Sequence, residues 1–560
     1  MNLLMSEKRD KLILGNNEFD FNFKKNQSNL KISFNRVAFL FFIFIIIYVI
    51  YTSKLFFLIT GDIEKEKNLI TNSEFRSTIL DRNNNILAKS VITRNIGINP
   101  KEVIDVKKLL INLKLIFPEK DFLEIEKKLN KKKFFYLEKK ISQEKYEKIF
   151  LLGDKAIKEE QKISRIYPHG SLFSHILGQI DDQNNGISGI EKYYDYELRS
   201  SEKSFTLTVD SNIQHLIKEQ LLNFKSVFNY VGSAAILMRV DNGEIISMIS
   251  LPDYDLNKRA NINDINYINR VSKALFEFGS VFKTFTYASG LEENVINANT
   301  KFIDLEKKIK CGKNFIGEYD KDIPSNLTAE EILIRSGNIG SVRIGQKVGV
   351  DNYSSFLKKL GLLDKINFDI EEVAQPLPIK WGKCKLATSS FGHGVTTTLL
   401  QLAKAYSIIS NGGFEVNPTL IKKNNNNYIP NKRILKKDIS KNVNNTLRKI
   451  VTKKEGTAEF ANIEGYEIAG KTGTAQKSIN GVYVNTKVNT FASIFPASSP
   501  KFVFIVLLDE PKANQEYVYN FRDGTNFKYK GNFRNTAGWT TVEVAGKIIE
   551  KIGPILATKY

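Results

Sequence analysis

The chain has 560 residues, of which 42% are hydrophobic and 26% are charged, a composition that excludes a disordered or collagen-like protein. Its net charge of +21 would suit an anionic partner such as nucleic acid, lipid headgroups or an anionic cell-wall polymer, but a lysine-rich solvated surface is the simpler explanation. We find no zinc-finger spacing, nucleotide-binding glycine loop or compact basic helix, so nucleic acid is not an expected partner. The four histidines show no metal-ligand spacing, so we expect neither a metal nor a cofactor. Cys311 and Cys384 could form one disulfide or none.

The first predicted element is a membrane-spanning helix over residues 37–59. The preceding residues 1–36 are polar and hold seven Lys/Arg against four Asp/Glu. The 23-residue apolar run is long enough to cross a bilayer about 30 Å thick. A cleaved signal peptide is the alternative, but it would have a shorter apolar region and a small-x-small cleavage site, which we do not find. No second long apolar run appears, so we expect a single-pass inner-membrane protein. The basic residues predict a cytoplasmic tail (1–36), with residues 60–560 on the other side of the membrane.

The rest of the chain divides near residue 230. Residues 60–230 mix strand-like runs with lysine-rich helical segments and carry no catalytic grouping. From residue 231 onward, apolar runs flank Asp241-Asn242-Gly243, a strong hairpin signal. Further strands are predicted at 490–495 and 502–508. With helical segments between them, residues 231–560 are expected to form an α+β domain on an antiparallel sheet.

A serine and a lysine, Ser280 and Lys283, follow Gly279 at the predicted start of a helix. Positions i and i+3 share a helix face, so the two side chains would be neighbours. A lysine can take the proton of a serine hydroxyl only if desolvation or a nearby cation lowers its pKa from about 10.4. The same spacing arises by chance elsewhere, as at Ser355 and Lys358. Its meaning therefore depends on the motifs that follow.

Two short motifs complete the predicted site. Ser336-Gly337-Asn338 comes first, and Lys471-Thr472-Gly473-Thr474 follows a strand-like run at 466–470. Gly473 would let a substrate backbone lie against the edge of this strand. Taken singly, each motif is explained by a turn serine, a solvated lysine or a strand glycine. Their order within one domain favours chemistry instead.

The order Ser-x-x-Lys, Ser-x-Asn, Lys-Thr-Gly resembles the signature of penicillin-recognising serine acyltransferases. After the membrane span, nearly the whole chain resembles a class B (monofunctional) penicillin-binding protein. The supporting stretches are Arg76-Ser77-Thr78-Ile79-Leu80-Asp81-Arg82-Asn83, Arg165-Ile166-Tyr167-Pro168, Gly189-Ile190-Glu191-Lys192, Phe391-Gly392-His393-Gly394 and Gly456-Thr457-Ala458. Within the family, Asn338 and the 376–394 region resemble the division-specific FtsI branch more than the elongation-specific one. Ser77, Phe278 and Ser493 depart from the family pattern, but none of these departures removes a chemical group.

The resemblance implies a fold and a set of roles. It implies a pedestal of dimerisation type at 60–230 and a serine β-lactamase-like domain at 231–560, with helices flanking the sheet. Ser280 would attack the penultimate D-Ala of a peptidoglycan stem peptide, and Lys283, kept partly neutral by Lys471, would take its proton. Ser336 would relay a proton to the leaving D-Ala. The remaining roles are a substrate amide contact for Asn338, positive potential from Lys471 and Thr472, a carboxylate contact for Thr474, and an oxyanion hole of the Ser280 and Thr474 backbone N–H groups.

The resemblance also implies partners and leaves alternatives. Donor and acceptor stem peptides would be substrates, β-lactams would be inhibitors, and an FtsW-like polymerase with other divisome membrane proteins would be partners. An elongation-specific transpeptidase, a β-lactamase or β-lactam sensor, and an inactive divisome scaffold remain as alternatives. His393 is interpreted as a loop residue that shapes the cleft, because Lys283 already supplies the base.

Overall fold

The structure is a computed structural model that describes residues 27–66, 75–201, 203–258, 264–312, 314–422, 432–479, 481–525, 527–531 and 533–560. Most of the predicted cytoplasmic tail, residues 1–26, lies outside these ranges. The chain falls into two units, residues 1–72 and 73–560. Each unit is described by itself.

The first unit is represented by one long helix, α1 (Gln27–Glu66), with an apolar span at Arg36–Phe56 that is long enough to cross a membrane. The span confirms the predicted apolar helix, but the helix continues past 37–59 at both ends because no proline interrupts it. At the polar break in the run, the Thr52 hydroxyl donates to the Tyr48 carbonyl one turn earlier. The helix therefore continues through the break.

The N-terminal part of the second unit is a small twisted sheet with short helices. Its elements are β1 (Ile79–Leu80), β2 (Ile86–Ile98), α2 (Val106–Ile116), α3 (Phe122–Asn130), β3 (Phe135–Glu138), α4 (Gln143–Phe150), β4 (Ile157–Ile166), α5 (Ser174–Leu177), α6 (Gly189–Tyr193), α7 (Asp195–Ser200), β5 (Phe205–Thr206) and α8 (Ser211–Phe228). The long strand β2 pairs with β1, β3 and β4, and β5 pairs with β1. Helices α2 to α4 bury their own apolar cluster against β2 and β3. The lysine-rich segment thus folds as three amphipathic helices.

The stretches around Arg76, Arg165 and Glu191, which carry the family resemblance in residues 60–230, meet in a buried ion cluster. Glu191 is fully buried and accepts hydrogen bonds from Arg76 Nε at 2.8 Å and from Arg165 Nε at 2.7 Å. Arg76 also donates to the Asp195 carboxylate at 2.6 Å. Because a buried charge is stable only when it is paired, this cluster fixes the stretches around residues 76, 165 and 191 together.

The C-terminal part of the second unit is built on a five-stranded antiparallel sheet of order β12-β13-β14-β6-β7. Its elements are β6 (Gly232–Arg239), β7 (Ile245–Leu251), α9 (Lys283–Glu292), β8 (Lys301–Phe302), β9 (Lys308–Cys311), β10 (Asn314–Gly317), β11 (Leu327–Thr328), α10 (Ala329–Ile334), α11 (Asn338–Val348), α12 (Val350–Lys359), α13 (Lys383–Ser389), α14 (Leu399–Ser410), α15 (Lys437–Thr452), β12 (Ala469–Ile479), β13 (Val482–Phe495), β14 (Phe502–Asp509), β15 (Val518–Asn520), β16 (Lys528–Lys530) and α16 (Thr541–Lys559).

The sheet confirms the predicted strands and the α+β class. Gly243 has a φ of +77°, so the Asp241-Asn242-Gly243 turn closes the β6–β7 hairpin as expected. Every residue of β7 and β14 is buried, which shows that both faces of the sheet are covered. Helices α8 and α16 pack on each other and against the sheet, and α14 packs against β6, β13 and β14. β12 forms one edge of the sheet and carries the Lys-Thr-Gly motif.

Candidate active site

Ser280 lies on a short 3-10 turn, Gly279–Phe282, and helix α9 begins only at Lys283. The predicted helix start after Gly279 is confirmed, with its first turn in 3-10 form. Gly279 has a φ of +55°, a conformation that a side chain disfavours, and this bend carries the chain into the turn. Ser280 is partly exposed, whereas Lys283 is 1% exposed. The turn thus presents the hydroxyl and buries the amine.

Close backbone contacts fix this turn against its neighbours. A Cβ atom on Gly473 of β12 would lie 2.2 Å from the Phe278 carbonyl oxygen, and one on Gly279 would lie 2.7 Å from the Thr474 carbonyl oxygen. A Cβ on Gly392 would lie 1.9 Å from the Gly279 carbonyl oxygen. Glycine at these positions lets the turn, strand β12 and the 391–394 loop touch directly. The turn that carries Ser280 is held on two sides.

Lys283 Nζ donates to three acceptors in the second motif. These are the carbonyl and hydroxyl oxygens of Ser336, the latter at 3.2 Å, and Asn338 Oδ1 at 2.6 Å. Lys471 Nζ donates to the same Ser336 hydroxyl at 2.9 Å. The structure therefore brings the three motifs together around one hydroxyl oxygen, which lies between two amines.

The pKa values of both lysines lie below the ordinary value of a lysine side chain. Burial lowers the pKa of Lys283 from 10.5 to about 7, while the Glu318 carboxylate opposes this shift. Burial, together with the charge of Lys283, holds the pKa of Lys471 well below 10.5. We expected Lys471 to be the cause at Lys283. Burial lowers the pKa instead, because transfer of an ammonium out of water disfavours its charged form.

The second motif is a tight turn between two helices. Ser336 has a φ of +60° and lies two residues after the end of α10, and Gly337 is the N-cap of α11. Asn338, the first residue of α11, also donates from Nδ2 to the Gly317 carbonyl at 2.8 Å. The amide predicted to bind substrate therefore has one end on β10 and the other on Lys283.

The third motif lies inside strand β12, whose first residue is Ala469. The sequence predicts a strand from residue 466 that runs into the motif. The strand does run through the motif, but it begins three residues later because residues 464–466 form a turn. The Thr472 hydroxyl lies 2.7 Å from that of Thr457, and the Thr474 hydroxyl accepts from the Ala537 N–H at 3.0 Å. Both predicted substrate-binding hydroxyls are thereby oriented.

His393 and Glu277 lie beside the 3-10 turn that carries Ser280. The His393 ring is 4.8 Å from the Phe391 ring and 5.9 Å from the Tyr483 ring, measured between centroids. Burial and the charge of Lys283 lower the pKa of His393 to about 4, so the imidazole is neutral. Glu277 accepts a hydrogen bond from the Tyr483 hydroxyl at 3.1 Å. This packing agrees with the interpretation of His393 as a residue that shapes the cleft.

The sequence interpretation missed Glu318 and left the cysteines open. Glu318 accepts hydrogen bonds from the backbone N–H groups of Asn338 and Ile339, at 2.6 and 2.8 Å. No sequence motif marks Glu318, because its contact with the start of α11 forms only in the folded chain. Cys311 and Cys384 form a disulfide. Among the described residues, no group of three or more His, Cys, Asp or Glu side chains could hold a metal ion.

Two family models match the chain. The penicillin binding protein transpeptidase domain matches residues 233–522, and the penicillin-binding protein dimerisation domain matches residues 72–222. The first match alone covers more than half of the chain.

Known proteins give the same assignment. The chain is 30% identical over 498 residues to a probable peptidoglycan D,D-transpeptidase FtsI of Caulobacter vibrioides, covering 86% of this chain and 82% of that protein. It is 28% identical over 490 residues to the peptidoglycan D,D-transpeptidase FtsI of Escherichia coli, covering 80% and 81%. Penicillin binding protein 3 of Mycobacterium tuberculosis, solved in complex with aztreonam, shares the fold with a TM-score of 0.64 at 22% identity, covering 85% of this chain and 96% of that one. With these relatives and with its three motifs converging on the Ser336 hydroxyl, the chain belongs to the class B penicillin-binding proteins, the peptidoglycan D,D-transpeptidases.

Proposed function

We propose that this chain cross-links peptidoglycan stem peptides in the septal wall through an acyl-enzyme on Ser280. The observation that carries the proposal is the convergence of Lys283 and Lys471 on the Ser336 hydroxyl, 3.2 and 2.9 Å away, next to the turn that presents Ser280. The relatives named FtsI favour the septal role over the elongation-specific alternative.

Acylation begins at Ser280. Its Oγ attacks the carbonyl carbon of the penultimate D-Ala while the neutral amine of Lys283 takes the hydroxyl proton. The negative oxygen that forms is stabilised by the backbone N–H groups of Ser280 and Thr474, each worth about 10²–10³ in rate. The contact between Gly279 and β12 supports this pairing of donors.

Collapse of the intermediate breaks the C–N bond to the terminal D-Ala. The departing nitrogen takes a proton from the Ser336 hydroxyl, which is hydrogen-bonded to Lys283 and is reprotonated from it. Lys471 adds positive potential once Lys283 is neutral, because the charge of Lys283 is one cause of the low pKa of Lys471. Thr474 holds the terminal carboxylate of the donor. The amine of an acceptor stem then attacks the ester carbonyl carbon and gives a proton to neutral Lys283. The C–Oγ bond breaks as the new amide forms, and Ser280 Oγ recovers its proton from Lys283.

The proposed location and partners rest on the apolar span and on the family resemblance. The apolar span of α1 would anchor the chain in the inner membrane. The basic residues before it support a tail in the cytoplasm and a catalytic domain in the periplasm. The span and the pedestal are then the surfaces for an FtsW-like polymerase and other divisome membrane proteins.

The test is labelling of the full chain with a fluorescent penicillin. We expect a stable acyl adduct on the wild type and none on Ser280→Ala. Ser355→Ala is the matched control, because it removes an exposed serine from a chance Ser-x-x-Lys pair on α12. Labelling of Ser280→Ala would refute the assigned nucleophile, and rapid release of penicilloic acid from the wild type would indicate a β-lactamase. Septal growth that survives Ser280→Ala would indicate a scaffold, and a fluorescent fusion spread along the lateral wall would indicate elongation.

A further inference from the structure

Glu318, directly after strand β10, binds the start of helix α11. Its two carboxylate oxygens accept from the N–H groups of Asn338 and Ile339, at 2.6 and 2.8 Å. The first N–H groups of a helix have no partner within the helix, and an anion near them is favoured by the helix dipole. The residue before it, Gly317, accepts from Asn338 Nδ2 at 2.8 Å. Residues 317 and 318 therefore fix both the backbone and the side chain of Asn338.

The hairpin that carries Glu318 is itself anchored. Strands β9 and β10 pair with each other, and Cys311 at the end of β9 is bonded to Cys384 in α13. Ile316 of β10 packs in a small apolar cluster with Ile339 of α11 and Phe391 of the loop beside Ser280. The position of Glu318 is thus set by covalent and apolar contacts that do not involve the catalytic groups.

The charge of Glu318 also acts on the catalytic base. Lys283 and Lys471 are both buried, with 1% and 0% exposure, and both face the Ser336 hydroxyl. His393 is a further titratable group that interacts with Lys283, and it is neutral at working pH. The Glu318 carboxylate raises the pKa of Lys283 against the effect of burial. It therefore favours the ammonium that forms when Lys283 takes the Ser280 proton.

We propose that Glu318 is a positioning residue of the reaction: it holds the Ser336-Gly337-Asn338 turn against Lys283 and stabilises the positive charge that Lys283 acquires during acylation. This inference rests on the proposed function. It adds a residue outside the three motifs, on a hairpin that carries no catalytic side chain of its own.

The test is Glu318→Gln, which keeps the shape of the side chain and removes its charge. The rate constant of acylation by a fluorescent penicillin is measured from about pH 5 to about pH 9. We expect the plateau rate to fall about tenfold, because the turn loosens and the charge on Lys283 loses its partner. We also expect the midpoint of the acid limb to move to lower pH by about half a unit, because the pKa of Lys283 falls.

Matched variants separate this role from general effects. Asp322→Asn removes one negative charge from an exposed position of the same loop and should match the wild type. Glu318→Asp keeps the charge on a shorter side chain, so the acid limb should stay in place while the plateau falls. If a thermal unfolding measurement shows that Glu318→Gln is not folded, the Glu318→Asp variant tests the positioning role instead.

Three results would overturn the proposal: a wild-type plateau and acid limb for Glu318→Gln, an equal loss for Asp322→Asn, or an unchanged plateau for Glu318→Asp. A labelled Ser280→Ala protein would instead contradict the proposed function. The two failures are therefore distinguishable.

Discussion

The amines of Lys283 and Lys471 are buried and both donate to the Ser336 hydroxyl. Burial, more than repulsion between the two charges, lowers their pKa values. Lys283 makes three hydrogen bonds as an ammonium, whereas a neutral amine has two N–H groups and a lone pair. Loss of its proton therefore frees one contact and creates the base in the same step. The low pKa of Lys283 makes that loss accessible near neutral pH.

The first residue-scale prediction is the pH dependence of acylation. Lys283 acts as a base when it is neutral, and its pKa is about 7. The acylation rate constant should therefore be constant above pH 7 and fall about tenfold for each unit below it. Stopped-flow fluorescence with a penicillin measures this directly. A profile that still rises near the ordinary lysine pKa would contradict the lowered pKa of Lys283 on which this mechanism depends. Lys283→Arg should lose about 10²–10⁴ in rate at all pH values, because arginine stays protonated.

At this scale the sequence predicts the members of the site but not their support. Ser280, Lys283, Ser336 and Lys471 fall in short motifs whose order is visible in the chain. Glu318 acts through contacts with residues 20 and 21 positions away, and nothing in its local sequence marks it. The cause of the low Lys283 pKa was misjudged for the same reason, because burial is a property of the folded domain.

Among the elements, the edge strand β12 and the 3-10 turn form the geometry of the site. The turn and the strand touch through glycines, which brings the backbone of Thr474 next to that of Gly279. A substrate that pairs with the open edge of β12 would therefore lie along the turn that carries Ser280. The sequence predicts a strand that runs into the motif, and the structure confirms this, since Lys471 and Gly473 pair with β13.

Gly473→Ala tests this contact. The new Cβ would lie 2.2 Å from the Phe278 carbonyl oxygen and 2.6 Å from Val281 Cγ2, so β12 must move away from the turn. Acylation should fall about 10²-fold, the loss expected when one oxyanion donor is displaced. Gly382→Ala is the control, because a Cβ there has no neighbour within 4 Å. Equal acylation by the two variants would contradict the assigned contact.

For the molecule as a whole, the pedestal is fixed by a buried ion cluster. Glu191 joins Arg76 and Arg165, which are 115 and 26 positions away in the sequence. The family motifs indicate these residues, but the sequence does not show that they meet. In contrast, the β6–β7 hairpin is predicted correctly because its turn signal is local.

Glu191→Gln should destabilise the full chain strongly. It leaves two buried guanidinium groups without their shared carboxylate, which typically costs about 3–5 kcal/mol. Thermal unfolding of the detergent-solubilised chain measures the loss. Glu144→Gln makes the same chemical change in an exposed pair with Lys148 and should leave the unfolding temperature close to that of the wild type. Similar shifts for both variants would show that the cluster does not stabilise the pedestal.

The bond between Cys311 and Cys384 has a consequence for how an active enzyme is produced. Disulfides persist in oxidising compartments and are rare where thiols are kept reduced. The bond anchors the hairpin that carries Glu318. A chain retained in a reducing cytoplasm would then complete its sheet and its three motifs, yet lack the brace behind the Ser336–Asn338 turn. Export would serve as a maturation step, with full acylating power acquired only on the side of the membrane where the wall is built.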